Sequence, residues 1–264
     1  MKKSNIIIII GIGSSFMLTF GFLNLKKFFV RDENMITHTD NGSHGPHWHT
    51  LFGGKIDKES RIINVFETDK GIVINNSLSI ITNNWMRGVI VNNTAVTGFP
   101  YLKGSQYEEY RLASILEWSH SENLEAIIKV SHTSGCGLSF FATDYALNSN
   151  QYKHQKNLSI NIIGLIYEMN TFDMEELNES TGNLRFSEDY CGYVPYDEDE
   201  INFIGRIQNI RKHSLGDIHG HLIAIHITPD FSMDFFIADT NLSIKLENNA
   251  LVNGIAWIQG TLET

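Results

Sequence analysis

The sequence has few of the residues and motifs on which common catalytic and metal sites depend. It contains two cysteines in 264 residues and no Cys-x-x-Cys or Cys/His spacing that predicts a zinc site. It also lacks a Gly-x-Ser-x-Gly elbow, a Ser-x-x-Lys pair and a phosphate-binding glycine loop that ends in Lys-Ser or Lys-Thr. These absences exclude the usual hydrolase and nucleotide-binding signatures and favour a non-enzymatic protein, without identifying a ligand.

Positive charge is also scarce. There are 20 Lys and Arg against 30 Asp and Glu, which gives a net charge of −10. Binding to a nucleic-acid backbone needs clustered Lys and Arg. We therefore expect no nucleic-acid partner.

The first distinctive feature that is present is an uncharged apolar stretch at residues 5–23, preceded by Lys2 and Lys3. About 20 helical residues cross the hydrocarbon core of a bilayer. Residues 1–25 are therefore predicted to be an uncleaved transmembrane helix. A cleaved secretory signal is the alternative, although the stretch is long for a signal and has no small-x-small cleavage site.

The charges on either side of this stretch are nearly balanced, since Lys26, Lys27 and Arg31 follow it. The positive-inside rule therefore gives only a weak preference for one orientation. We expect a single-pass membrane protein with its N-terminus inside and most of the chain on the extracytoplasmic side.

The rest of the chain is predicted to be rich in β-strands. Short Val-, Ile- and Phe-rich segments alternate with Asn-Asn and Gly-containing turns, which is typical of strands. Residues 107–118 fit either a helix or a strand. The predicted divisions are a His-rich stalk at 26–55, a first β domain at 56–170, an acidic linker at 171–200 and a second β domain at 201–264.

The two β blocks resemble one another. Residues 138–144 parallel residues 233–239, since both contain a Phe-Phe pair and end in Asp, and residues 160–166 parallel 252–258. Such self-similarity predicts a duplicated unit. We expect two related small antiparallel β-barrels of the oligonucleotide/oligosaccharide-binding type, because closure removes sheet edges, or alternatively two sandwiches.

The stalk carries the sharpest chemical feature, a group of four histidines. Imidazole is the commonest metal ligand, and this spacing in a flexible segment is compatible with zinc, copper or nickel. A polar spacer that happens to contain histidine is the alternative. The candidate metal ligands are His38, His44, His47 and His49.

The two cysteines, Cys136 and Cys191, each neighbour a glycine and are a possible disulfide outside the cytoplasm. Two unpaired thiols are the alternative. Taken together, the sequence predicts a membrane-anchored extracytoplasmic protein that acts as a non-enzymatic binding or structural module with a protein partner. A metal-binding envelope protein that uses the stalk histidines is the second hypothesis.

Overall fold

The computed structural model is mainly β and contains two sheets, which confirms the general fold class predicted from the sequence. The structure describes residues 35–52, 72–73, 78–82, 85–180, 186–187 and 189–263. The predicted transmembrane helix at 1–25 lies outside these residues. Within the described ranges, no helix has the length and apolar character that a bilayer crossing requires.

Fourteen strands and three α-helices are described. Residues 107–118, which fit either a helix or a strand in the sequence, lie almost entirely in a strand. The elements are β1 (Met35–Thr39), α1 (Gly45–Phe52), β2 (Ile72–Val73), β3 (Leu78–Thr82), β4 (Met86–Val91), β5 (Thr94–Pro100), β6 (Glu108–Trp118), β7 (Ala126–His132), β8 (Gly137–Ala142), α2 (Tyr145–His154), β9 (Asn157–Thr171), α3 (Met174–Ser180), β10 (Gly192–Pro195), β11 (Glu200–Leu215), β12 (Ile218–Thr228), β13 (Phe231–Ala238) and β14 (Leu251–Leu262).

The larger sheet has ten strands in the order β1-β6-β7-β8-β14-β9-β13-β12-β11-β10. Two further pairings, of β6 with β9 and of β11 with β14, join strands that are distant in this order. They complete two circuits of five hydrogen-bonded strands that share β9 and β14. Strands β2 to β5 form a separate four-stranded sheet.

The two circuits have the same connectivity. In each, three consecutive strands pair antiparallel, and the third then pairs parallel with the last strand of the other half: β8 with β14, and β13 with β9. The predicted domains 56–170 and 201–264 therefore both contribute strands to one sheet.

The Phe-Phe pairs of the two similar segments are divided between two cores, because successive side chains in a strand point to opposite faces. Phe140 and Phe235 belong to one hydrophobic cluster, and the residues that follow them belong to another. In the first cluster each ring covers a glycine of the opposite half, Phe140 on Gly260 and Phe235 on Gly164. A β-carbon at either glycine would lie within 2.4 Å of the ring. This matching contact repeats across the two circuits.

The second cluster lies on the opposite face of the large sheet. The four-stranded sheet supplies Met86 and Phe99, α1 supplies Trp48 and Leu51, and the large sheet supplies an aromatic floor that includes Trp257. Residues 35–52 and the four-stranded sheet together cover this face of the large sheet. Buried histidine and carboxylate side chains, including His44, His47 and Glu125, lie between these elements and the large sheet.

Candidate functional site

The described part of the predicted stalk is fixed to the large sheet. Strand β1 runs parallel to β6, from the pair Met35–Ser114 to the pair Thr39–Trp118. Gly42 then lies on the indole of Trp118, where a β-carbon would be 2.1 Å from the ring. Any side chain at position 42 would clash with Trp118, so glycine is the residue that fits here. We refer to residues 35–52 as the N-terminal strap.

Helix α1 follows directly, and its local sequence accounts for its start. The carbonyl of His44 accepts the first helical hydrogen bond, from the backbone N–H of Trp48 at 3.1 Å. Pro46 lies in the first turn, where a missing N–H is tolerated. Residues 44, 47, 48 and 51 are buried, which is the spacing of one helix face.

His47 lies flat against Trp257. The ring centroids are 3.8 Å apart and the planes differ by 4°. Burial, with a smaller contribution from nearby His44, lowers the pKa of His47 from 6.5 to about 2. The imidazole is therefore neutral near pH 7, and it packs as an aromatic ring that carries a polar edge.

That polar edge contacts the hydroxyl of Tyr167 through Nδ1. The same hydroxyl hydrogen-bonds to the Glu200 carboxylate, and burial raises the pKa of both Tyr167 and Glu200. A phenol has one proton, which it donates to the carboxylate. The hydroxyl of Tyr167 therefore lies between the carboxylate of Glu200 and the imidazole of His47.

Asp199 lies on the other side of Trp257. Its Oδ2 accepts the indole N–H of Trp257 at 2.7 Å, and its backbone carbonyl accepts the N–H of Ile258 at 2.8 Å. Its side chain is buried, and burial raises the pKa of Asp199 from 3.8 to about 7. This carboxyl therefore exchanges its proton near neutrality, whereas His47 loses its proton at a much lower pH.

His44 forms a second buried contact. Its Nε2 lies 2.6 Å from Oε1 of Glu125, which also accepts the hydroxyl of Thr97 at 2.8 Å. Glu125 is 2% exposed. Nδ1 of His44 and the indole N–H of Trp118 are buried and have no hydrogen-bond partner among the residues that the structure describes. The pair thus fixes the strap to the sheet and the small sheet at one point.

The other two candidate metal ligands lie apart from this pair. His38 is on β1, with Nδ1 3.5 Å from Oε2 of Glu117, and His49 is exposed on α1. No group of three or more His, Cys, Asp or Glu side chains suited to a metal occurs among the described residues. The structure therefore brings together His44 and His47 but not all four histidines, and metal binding by the set stays a prediction.

Glu117 is the centre of a further buried contact that the sequence analysis missed. Its Oε1 accepts the hydroxyl of Tyr145 at 2.7 Å and lies 2.6 Å from Nζ of Lys153. This carboxylate joins the strap, through His38, to helix α2. The contact holds the strap and α2 against β6.

Cys136 and Cys191 are free thiols in the structure, and the possible disulfide between them stays a prediction. Sγ of Cys136 lies 3.6 Å from the hydroxyl of Thr228. Burial raises the pKa of the Cys191 thiol. Both are half-buried, and each occupies an ordinary packing position beside a turn or strand end.

Of the site residues, His44 and His47 could have been assigned to a buried helix face from the sequence. The buried face of α1 follows the i, i+3, i+4, i+7 pattern, and it is recognisable once histidine is counted as a packing residue. Asp199 and Glu200 lie in a run of four acidic residues that resembles a solvated loop. Only their tertiary contacts distinguish them from Asp197 and Glu198, which are exposed.

Chemically, the arrangement holds neutral or paired titratable groups within an aromatic core. Apart from Nδ1 of His44 and the indole N–H of Trp118, its donors and acceptors are directed at one another, and their main effect is to attach the strap to the sheet. Comparison of the chain with protein-family models and with curated proteins finds no match.

Proposed function

We propose that this protein is a single-pass membrane protein whose β body lies on the extracytoplasmic side and acts by binding a protein partner rather than by catalysis. The observation that carries the proposal is that His44 and His47 make structural contacts. The most reactive side chains of the N-terminal region are engaged with Glu125, Tyr167 and Trp257. They attach the strap to the sheet and therefore serve as structural contacts.

The position of the strap supports a close connection to the membrane. Residues 26–34 separate the predicted anchor from β1, and nine residues span at most about 32 Å. The body is then held near the bilayer, attached by a strand and a helix. This differs from the flexible stalk expected from the composition of residues 26–55.

We further propose that each circuit of five strands is a small closed barrel and that the two arose by duplication. The identical connectivity of β6–β9 and β11–β14 supports this, as does the matching placement of Phe140 on Gly260 and Phe235 on Gly164. Closure would satisfy the backbone hydrogen bonds of otherwise exposed edges. A barrel of this kind does not by itself imply a ligand.

For the partner surface we propose the exposed face of the β11–β12 hairpin around Lys212. Lys212 pairs across the strands with His221, and Ser214 with His219. Arg211 and Lys212 are exposed on a protein whose net charge is −10. Arg211 lies 3.9 Å from the carboxylate of Asp234, so the proposal depends on the exposed ammonium of Lys212. An exposed cation on an acidic protein suits an acidic segment of a partner, since opposite charges guide association.

Two measurements on the full chain test the proposal. After expression in membranes, the chain should resist alkaline carbonate, and protease added from the extracytoplasmic side should cleave within residues 26–34. A photo-crosslinking residue at position 212 should give a discrete adduct that is absent when the same residue is placed at exposed position 170. Release by carbonate would contradict the anchor, and equal labelling at both positions would contradict the partner surface.

A further inference from the structure

The sequence contains six Asn-x-Ser/Thr triplets in which the middle residue is not proline. Such triplets are acceptors for N-linked glycans in proteins that pass through the secretory lumen. Their first residues are Asn41, Asn75, Asn92, Asn157, Asn178 and Asn241. The structure distinguishes among the five that it describes.

We propose that Asn92 carries an N-linked glycan. Asn92 and Asn93 form the two-residue turn between β4 and β5, and the flanking residues Val91 and Thr94 are paired. Both asparagines have left-handed backbones, with φ of 51° and 62°. Asparagine tolerates this conformation, and a two-residue turn of this kind joins antiparallel strands.

The whole triplet at this turn is open to solvent. Asn92, Asn93, Thr94 and the following Ala95 are all exposed. Neither the Asn92 amide nor the Thr94 hydroxyl hydrogen-bonds to any described residue. A large hydrophilic group attached here extends from the tip of the small sheet into water and displaces no packed side chain.

The other four triplets that the structure describes are less open. The amide oxygen of Asn178 accepts the N–H of Phe186 at 2.7 Å, and the hydroxyl of Ser243, in the Asn241 triplet, donates to the carbonyl of Met169 at 3.0 Å. The hydroxyl of Ser159, in the Asn157 triplet, donates to Glu263 at 2.8 Å. Asn41 is exposed but adjoins Gly42, which lies on the sheet.

The transfer needs a lipid-linked oligosaccharide diphosphate as co-reactant, together with the oligosaccharide transferase of the secretory lumen. The amide Nδ2 of Asn92 attacks the anomeric carbon of the sugar and loses one proton. The new bond joins that carbon to nitrogen. The bond from the same carbon to the diphosphate oxygen breaks, and the lipid diphosphate leaves.

This proposal rests on the extracytoplasmic orientation proposed above, so the experiment tests the two separately. The full chain, with an acceptor triplet added in a tag at its C-terminus, is synthesised with secretory microsomes and treated with peptide N-glycosidase. A second version carries the tag at its N-terminus. Glycans are counted by the mobility change on a gel, which does not depend on how well a variant folds.

The decisive variants are Asn92→Gln and Thr94→Ala, each of which should remove one glycan. Asn93→Gln is the matched control, because it alters the same turn but keeps an acceptor triplet, and it should retain the wild-type number. If the C-terminal tag is modified but Asn92→Gln migrates like wild type, the Asn92 proposal is overturned while the orientation stands. Modification of the N-terminal tag alone would overturn both.

Discussion

The imidazole of His47 and the indole of Trp257 are stacked almost parallel, at a centroid distance of 3.8 Å. Trp257 in turn donates its N–H to Asp199. One indole therefore connects a histidine whose pKa is lowered with a carboxyl whose pKa is raised. The stability of the fold should respond to pH through both groups.

The two effects oppose one another between pH 3.8 and 6.5. In this window the unfolded histidine binds a proton that folded His47 does not, so the His47 contribution to stability decreases as pH falls below 6.5. Folded Asp199 holds a proton that the unfolded residue releases, so its contribution is complete below pH 3.8 and is lost as pH rises through about 7. Each slope has a limit of about 1.4 kcal/mol per pH unit.

We therefore expect Asp199→Asn to reveal the acid sensitivity of His47. Its free energy of unfolding should fall as pH is lowered from 6.5, by up to about 1.4 kcal/mol per unit. His47→Phe keeps a stacked ring without a titrating group, and its stability should instead rise as pH falls from 7 to 4. Urea unfolding of the full chain in detergent, followed by tryptophan fluorescence, measures both. Parallel pH profiles for the two variants would contradict this assignment.

The His44–Glu125 contact should behave as a coupled buried pair. His44→Leu leaves the carboxylate of Glu125 buried, with Thr97 as its one remaining side-chain partner within the described ranges, and we expect a loss of about 3–5 kcal/mol. Glu125→Leu should have a similar cost. The double variant should be more stable than the sum of the two losses predicts, by about 2 kcal/mol. Additive losses in the double-mutant cycle would show that the two side chains act independently.

Of the two glycines in the strap, Gly42 should tolerate a side chain less well than Gly45. Gly42→Ala introduces a β-carbon at 2.1 Å from the Trp118 ring, and we expect a loss of about 1–3 kcal/mol as the loop shifts. Gly45→Ala is the matched control, since its nearest neighbour would be Oγ of Ser43 at 3.5 Å. The control should change stability by less than about 0.5 kcal/mol. Equal effects in thermal unfolding would contradict the close approach at Gly42.

Metal binding by all four N-terminal histidines requires the strap to leave the sheet. Nickel should therefore bind the unfolded chain better than the folded chain and lower the midpoint of thermal unfolding. His38→Gln with His49→Gln removes the two histidines outside the core and should reduce this effect. A rise in the midpoint with nickel would instead reveal a metal site in the folded protein.

Much of the fold class could be predicted from local sequence, and much of the site could not. Alternation of Val, Ile and Phe with turn residues indicates strands, because backbone geometry and side-chain periodicity are local properties. The strap could not be recognised from the sequence, because its glycine, asparagine and histidine residues give it the average polarity of a linker. Its attachment depends on Trp118, Glu125 and Trp257, which lie far away in sequence, so composition carries no information about it.

Residue order is enough to predict a β-rich body, an apolar leading stretch, an acidic net charge and two segments with matching Phe-Phe pairs. It does not reveal that the last strand of each half joins the circuit of the other half, or that His44, His47 and Asp199 are buried, and these features follow from the folded structure. The physical reason is that strand partners and the solvation of a titratable group depend on long-range contacts. A residue's type fixes which hydrogen bonds it can make, whereas the fold determines which partners are near enough to make them.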